Sequence, residues 1–381
     1  MPLPLADIVR ALGMHAPLAL AEPWDKVGLL VAGDGRPVSR ALLAIDLVPE
    51  VLDEARAAGA ELVIAYHPLL FKPLERLDGA TWQGRVAIAA VRAGIAVYSP
   101  HTALDAVAGG VNDWLVDSLA GEAAPRRPIK PAAARSPGFK LVVFVPLDAA
   151  DRVRDALAAA GAGVIGDDSR YTHCSFAAAG QGTFLGGEGA NPAVGKAGRL
   201  ERVQELRLEM AVPANALAPA VSALRDAHPY EEPAFDIFRM EPDPSARGAS
   251  ANAGAGRIAT LAQPMTSDEV ARGLEQPLGV VRTDIARASD PSRRHAVVAF
   301  CAGSGSSLAE SAAAEGATLF VTGEASHHDV LHARSLGLDF VLAGHTSTER
   351  GYLPRYARAL AQRIAGVEFL VSQADRDPLR A

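Results

Sequence analysis

Phe340-Val341-Leu342-Ala343-Gly344-His345-Thr346-Ser347-Thr348-Glu349-Arg350 carries a short apolar run into a histidine and, four residues later, a carboxylate. The first four residues read as a buried strand, and 352–360 reads as a helix. A helix beginning near Thr346 places His345 and Glu349 on its first turn, facing one way. An imidazole nitrogen and a carboxylate converging there make two ligands for a divalent cation. For this segment alone the competing reading is a capping threonine beside a solvated glutamate.

Working back from that stretch, the same plan recurs. Apolar strands at 258–262, 295–301 and 317–321 alternate with helices at 267–274, to about 315, and at 330–336; Thr266 or Ser267 is available to cap the first helix. Near the N-terminus, 40–47 is an apolar run reaching Asp46, 49–58 has helical spacing, and 61–66 is a strand ending at His67-Pro68. A helix at 84–93 then leads to a strand at 95–98 and to Ser99-Pro100-His101-Thr102-Ala103-Leu104-Asp105. Alternating strands and helices mark a parallel α/β architecture. Chemistry in such sheets collects beyond the carboxyl ends of strands, where Asp46 and His67 sit. His101 and Asp105 repeat the i, i+4 pair. The two segments share no exact repeat but share a plan, which predicts one α/β domain of two related halves, 1–124 and 257–381.

Between them, 125–138 is rich in proline and reads as a linker. Residues 139–240 have another rhythm. A strand at 140–146, a helix at 149–160, two or more β segments in 163–188, a strand at 205–212, a helix at 214–227 and a strand at 234–238 give βαββαβ, a ferredoxin-like α+β insertion. Residues 241–256 read as a second, small and flexible linker.

The 381 residues carry a net charge of −7, which argues against general affinity for nucleic acid or anionic membrane. No apolar run reaches the roughly 18–20 residues of a membrane span, and the N-terminus lacks the basic and apolar regions of a signal peptide. Cys174 and Cys301 offer neither metal spacing nor a disulfide framework. The expected location is the cytoplasm.

Several motifs have blander uses. Gly303-Ser304-Gly305-Ser306-Ser307 lacks the Gly-Lys-Ser/Thr of a phosphate loop and reads as a tight strand-to-helix turn. Of His327 and His328, about 100° apart on a helix, one is expected near the site and the other at the surface. His228-Pro229-Tyr230-Glu231-Glu232-Pro233 reads as a structured turn. His67, Asp105, His345 and Glu349 remain, all at strand ends. Mixed N/O ligands without thiolate suit zinc, iron(II), manganese or magnesium, and two such ions sharing a carboxylate form a hydrolytic centre.

Trp24-Asp25-Lys26-Val27-Gly28-Leu29-Leu30-Val31, Tyr66-His67-Pro68-Leu69-Leu70-Phe71-Lys72-Pro73-Leu74 and Tyr98-Ser99-Pro100-His101 to Asp105, with Gly109-Gly110-Val111-Asn112-Asp113-Trp114-Leu115, Ala302 to Ser307, Thr322-Gly323-Glu324 to His328 and Gly344-His345 to Arg350, resemble the NIF-three-like family of dinuclear-metal proteins, also called GTP cyclohydrolase 1 type 2 homologues. The resemblance runs in order along nearly the whole chain. It implies a site for two divalent ions, with His67, Asp105, His345 and Glu349 at ligand positions, and a homohexameric toroid. It also implies that 139–240 is the PII/CutA-like domain of the longer members. Many members have His-His-Pro where this chain has Tyr66-His67-Pro68, and Asn is common where it has Lys26. Tyr66 either ligates as a phenolate or hydrogen-bonds at the centre. His101 and Glu324 are candidates to position water or carry protons. The implied activity is metal-dependent hydrolysis of a small molecule, with purine ring opening suggested by the family name. The alternative is a metal-binding scaffold or metal-trafficking protein without turnover.

Overall fold

The computed structural model describes residues 2–73, 76–132, 138–165, 171–241, 252–280 and 283–379. The chain divides into two compact units, Met1–Ala132 with Gly248–Ala381, and Ala133–Arg247.

The strands of the first unit are β1 (Gly28–Ala32), β2 (Arg40–Ala44), β3 (Leu62–Ala65), β4 (Ala96–Ser99), β5 (Arg257–Met265), β6 (Asp284–Ala286), β7 (His295–Cys301), β8 (Leu319–Thr322), β9 (Asp339–Leu342) and β10 (Glu368–Val371). One sheet has the order β1-β4-β3-β2-β10. Its last four strands are parallel and β1 is antiparallel at the edge. The other has the order β6-β9-β8-β7-β5, with β7, β8 and β9 parallel and β5 and β6 antiparallel. Each half therefore contains a parallel triple, in chain order β2, β3, β4 or β7, β8, β9, flanked by an antiparallel strand beside its last member, β1 beside β4 and β6 beside β9.

The central strands are apolar on both faces because helices cover both. Leu42, Val63 and Val97 pack under the helices Pro49–Ala57 and Trp82–Ala93. The opposite faces of the two sheets share a single core, running from Ile64 and Tyr98 through Leu115, Leu274 and Leu360 to Val298 and Val341. Within it the fully buried Arg257 donates from Nε and Nη2 to the two Asp113 carboxylate oxygens, both at 3.0 Å, and from its terminal nitrogens to the carbonyls of Ala106, Val107, Gly254 and Gly256. A buried charge is tolerated only when so fully paired. This pair joins the two halves.

Not all of the proline-rich stretch 125–138 is a linker. Arg126–Arg127 pairs antiparallel with β5, and Lys130–Pro131 pairs with Gly254–Ala255 from the stretch 241–256. Residues 133–137 and 242–251 of those two stretches lie outside the described residues. Proline tolerates such short edge pairing, since only one side of the strand is bonded.

The second unit is a four-stranded antiparallel sheet with the strands Phe235–Arg239, Phe139–Pro146, Leu200–Val212 and Ser175–Leu185 in that order. The helices Ala150–Ala159 and Leu217–Ala227 bury Leu141, Val143, Leu208 and Met210 beneath them. In place of several β segments in 163–188, the described residues hold one long strand, Ser175–Leu185. Its partner begins at Leu200 and not near 205. The alanines and glycines of Ser175–Leu185 give no alternating signal, so its continuity rests on pairing with a distant partner. His228 closes the turn before the last strand: its Nε2–H donates to the Phe144 carbonyl at 3.0 Å and its Nδ1 accepts from the Tyr230 amide at 3.1 Å.

Candidate metal centre

β3 ends at Ala65, and the chain continues its pairing one step further. The Tyr66 and His67 amides donate to the carbonyls of Ala44, the last residue of β2, and Ile45 just beyond it. That register sets the His67 ring beside Asp46, and Nδ1 lies 2.9 Å from the Asp46 carboxylate. On the other half, β9 leads to His345, whose Nδ1 lies 3.0 Å from the Glu324 carboxylate at the end of β8. The following helix spans Ser347–Arg350, so His345 stands just before it. His345 and Glu349 meet nonetheless, with Nε2 3.4 Å from Glu349 Oε1. His67 Nε2 approaches the same carboxylate, 3.4 Å from Oε2.

His67, His345 and Glu349 thus bring their ligand atoms within 4.8 Å of one another. Glu349 is 3% exposed, and its Oε2 has no hydrogen-bond partner. Each Nδ1–H that donates to a carboxylate leaves a lone pair on Nε2. Two imidazole lone pairs then face a buried carboxylate, an arrangement that repels unless a cation stands among them. A proton fills that role in the metal-free chain. Burial opposes a charged ring at His67, but Asp46 and Glu349 outweigh it and raise its pKa to about 10. Asp46 is correspondingly held below the usual carboxylate range, its burial overcome by the His67 hydrogen bond. The donor set and the orphaned oxygen fit a divalent ion.

Space for it depends on Gly303. A Cβ there would lie 2.5 Å from Glu349 Oε1 and 3.3 Å from His345 Nε2, and its φ of +64° suits glycine. The glycine-rich stretch after β7 serves as this tight turn. Its Gly303 amide donates to Thr348 Oγ1 at 2.9 Å, and Ala302 donates to Asn112 Oδ1 at 2.8 Å.

Asp105 lies outside the triad and accepts at Oδ1 from the Tyr66 hydroxyl. Burial, then the Asp105 and Glu349 charges, push the Tyr66 phenol well up, so it is a neutral donor. The Asp105 carboxyl is pushed up to about 6, burial outweighing His101 and Tyr66. The His101 ring lies 5.3 Å from that of His67 and 5.5 Å from that of Tyr66. Its Nδ1 lies 2.8 Å from Asp25, which also accepts from Thr102. The Trp24 and Phe71 rings also lie edge-on to His101, 6.2 and 6.3 Å from it. Glu324, read as a proton carrier, is engaged with His345. Neither His327 nor His328 comes near: both are exposed, on a helix started by the capping box of Ser326 and Asp329.

Asp25 was not singled out from the sequence, though it lay in view in Trp24-Asp25-Lys26, and Asp46, placed with His67 at a strand end, was given no role. Asp375, beyond β10, was missed as well. It accepts from the Ile45 amide at 2.7 Å and pairs with Arg350, tying the Asp46 strand end to the residue after Glu349. Ser267, His295 and Asp339 also form a cluster, but they are at most 1% exposed and Ser267 Oγ donates to Asp339 at 2.6 Å, so this is a packed core network without a free nucleophile.

The profile of the family described as Duf34/NIF3 (NGG1p interacting factor 3) matches residues 3–378. The chain belongs to the Duf34/NIF3 family. A relative from Halalkalibacterium halodurans, named GTP cyclohydrolase 1 type 2 homolog, is 34% identical over 374 residues, 97% of each chain. One of the same name from Mycobacterium tuberculosis is 36% identical, covering 93% of this chain and 91% of the relative. Among solved structures, a Bacillus cereus protein related to NIF3 superposes with a TM-score of 0.66 at 32% identity, over 99% of both chains. The α/β fold is that of this Duf34/NIF3 family.

Proposed function

We propose that this Duf34/NIF3 chain binds divalent metal and hydrolyses a small molecule at the centre between its two halves. One observation carries the reading: both His67 and His345 have Nδ1 fixed by a carboxylate while both Nε2 atoms address the buried, otherwise unpartnered Glu349. Carboxylate-braced histidines are the usual support of metal ligands. His67, His345 and Glu349 would hold one ion, and Asp105 and His101 would contribute to a second. Bound divalent ions supply a Lewis acid and an acidified water at neutral pH. Around them, Asp46 and Glu324 fix the two rings and Asp25 fixes His101. Tyr66 holds Asp105 by donating to it, which fits a hydrogen-bonding role better than ligation. His101, braced on Nδ1, presents Nε2 for a proton at the centre. Trp24 and Phe71 pack edge-on against His101.

The relatives' name makes purine nucleotides the first substrate class to try. The fold and a name do not fix a substrate, so the test is a turnover screen with nucleoside triphosphates and phosphoesters on protein whose metal has been counted. Turnover that disappears in His345→Ala and His101→Ala supports the hydrolase. Metal retained without turnover on any of them supports the scaffold or trafficking alternative. A homohexameric toroid, a PII/CutA-like role for the second unit and a cytoplasmic location belong to the same proposal. No described helix is long and apolar enough to cross a membrane, and light scattering tests the assembly.

A further inference from the structure

The carboxyl ends of β2, β3 and β4 carry the metal centre; their amino ends carry something different. There a cavity of about 810 Å³ is lined by Arg36, Arg56, Arg85 and Arg92, with Asp78 its only carboxylate among the described residues. Its apolar wall includes Ile88 and Ile95. Part of this charge has a structural use. Arg56 and Arg92 lie in the last turns of the helices Pro49–Ala57 and Trp82–Ala93, where a cation complements the helix dipole. That use does not extend to Arg85, which stands near the start of its helix, where the dipole disfavours a cation. Nor does it extend to Arg36, which lies outside any helix.

Both of these are braced. Arg36 Nη2 donates to the Ala93 carbonyl at 2.6 Å and lies over Gly94, where a Cβ would be 3.0 Å from it. Arg85 Nη1 donates to the Gly79 and Ala80 carbonyls at 3.1 and 3.4 Å. Carbonyl oxygens orient a guanidinium without neutralising it. Among the described residues Arg85 and Arg92 pair with no carboxylate, whereas Arg36 has Asp34 at 3.4 Å and Arg56 has Asp53 at 3.3 Å, both exposed pairs of little worth.

We propose that this cavity binds a phosphorylated small molecule, at a site separate from the metal centre. Planar, permanently charged guanidinium forks match phosphate oxygens. The cavity has the size of a small-molecule pocket, larger than a lone phosphate needs. Four arginines call for more than one negative charge, and the Ile88 and Ile95 wall suits an apolar body. A nucleoside di- or triphosphate has that chemistry. The net charge of −7 makes extended nucleic acid a poor competitor for the same surface.

The proposal does not rest on the hydrolase reading, and its test separates the two. Full-length protein freed of metal with chelator is titrated calorimetrically at physiological salt with inorganic phosphate, pyrophosphate, ATP and GTP, sulfate serving as the control anion. Binding of pyrophosphate or a nucleotide, tighter than that of sulfate, is expected in wild type and in His345→Ala. It should weaken at least tenfold in Arg85→Ala/Arg92→Ala and partly recover in Arg85→Lys/Arg92→Lys. The exposed single variant Arg92→Ala, with an unchanged melting curve, guards against misfolding of the double variant and should itself weaken binding. Pyrophosphate against the nucleotides separates a phosphate-only ligand from one with a base. No phosphorylated probe bound more tightly than sulfate, or binding lost in His345→Ala and unchanged in the arginine variants, overturns the proposal.

Discussion

The two halves of the first unit build the same frame and furnish it unequally. In each, the third strand of the parallel triple is followed by a histidine and a carboxylate four residues on, His101 with Asp105 after β4 and His345 with Glu349 after β9. In each, that histidine has Nδ1 held by a carboxylate, Asp25 or Glu324. The middle strands differ. β3 leads to Tyr66 and His67, whereas β8 leads to Gly323 and Glu324. A Cβ at Gly323 would lie 2.5 Å from the Gly303 carbonyl and 2.7 Å from the His345 Cα, so no side chain can stand there. The N-terminal half thus brings an extra imidazole and a phenol, while the C-terminal half brings the buried carboxylate that both His67 and His345 address. Duplicated topology fixes where side chains can enter the centre, and close packing at one glycine leaves the C-terminal half without one at the end of its middle strand.

The largest expected effect falls on the joint between the halves. Arg257→Met leaves the buried Asp113 with only the Gly109 amide and Arg126 at 3.8 Å, and should cost roughly 3–5 kcal/mol in urea unfolding. A cost below about 1 kcal/mol would mean that the halves hold together without this pair. Next, Glu349→Gln keeps the shape but removes the shared charge, and metal affinity should fall by more than the roughly 10–100-fold expected for an outer partner. Asp46→Asn and Glu324→Gln brace one histidine in each half, so their losses should be alike, each roughly 10–100-fold by metal competition titration. A large loss in one and none in the other would show that the frames are not equivalent. Tyr66→His, which places a second imidazole at the end of β3, should have the smallest effect: higher occupancy of a second ion, with the first unchanged, by metal counting.

Titration probes the same asymmetry. His67 is raised from 6.5 to about 10 in the metal-free chain. Its stabilisation is complete below pH 6.5 and is lost as pH rises through about 10. Metal-free protein should therefore melt at lower temperature at pH 10 than at pH 7. An ion must displace the same proton, so metal affinity should rise by about tenfold per pH unit between 7 and 9. A flat affinity profile would mean that His67 is not a ligand.

Much of this was legible in the sequence, for identifiable reasons. Apolar runs ending in His67, His101 and His345 announced strand ends, and the i, i+4 spacing of His345 and Glu349 brings the pair together across the start of a helix capped at Thr346, as expected. Asp25 and Asp46 were harder, because a carboxylate in a loop carries no periodic signal and its role depends on which ring the register places beside it. The pairing of Arg126–Arg127 with β5 was hidden inside a proline-rich stretch, and only contact between residues far apart in sequence reveals it. The long strand Ser175–Leu185 was obscured by its small residues. Asp105 had the right spacing from His101, but it lies outside the triad, where it accepts from the Tyr66 hydroxyl.

The most direct test is the metal content of purified wild type, His67→Ala and His345→Ala, measured by plasma mass spectrometry after incubation with manganese, zinc or iron(II) and desalting. A centre shared by the two halves predicts a stoichiometric ion in the wild type with at least one of these metals, and its loss in both variants, one from each half. A folded wild type that retains none of the three metals, or variants that keep the wild-type content, would contradict it.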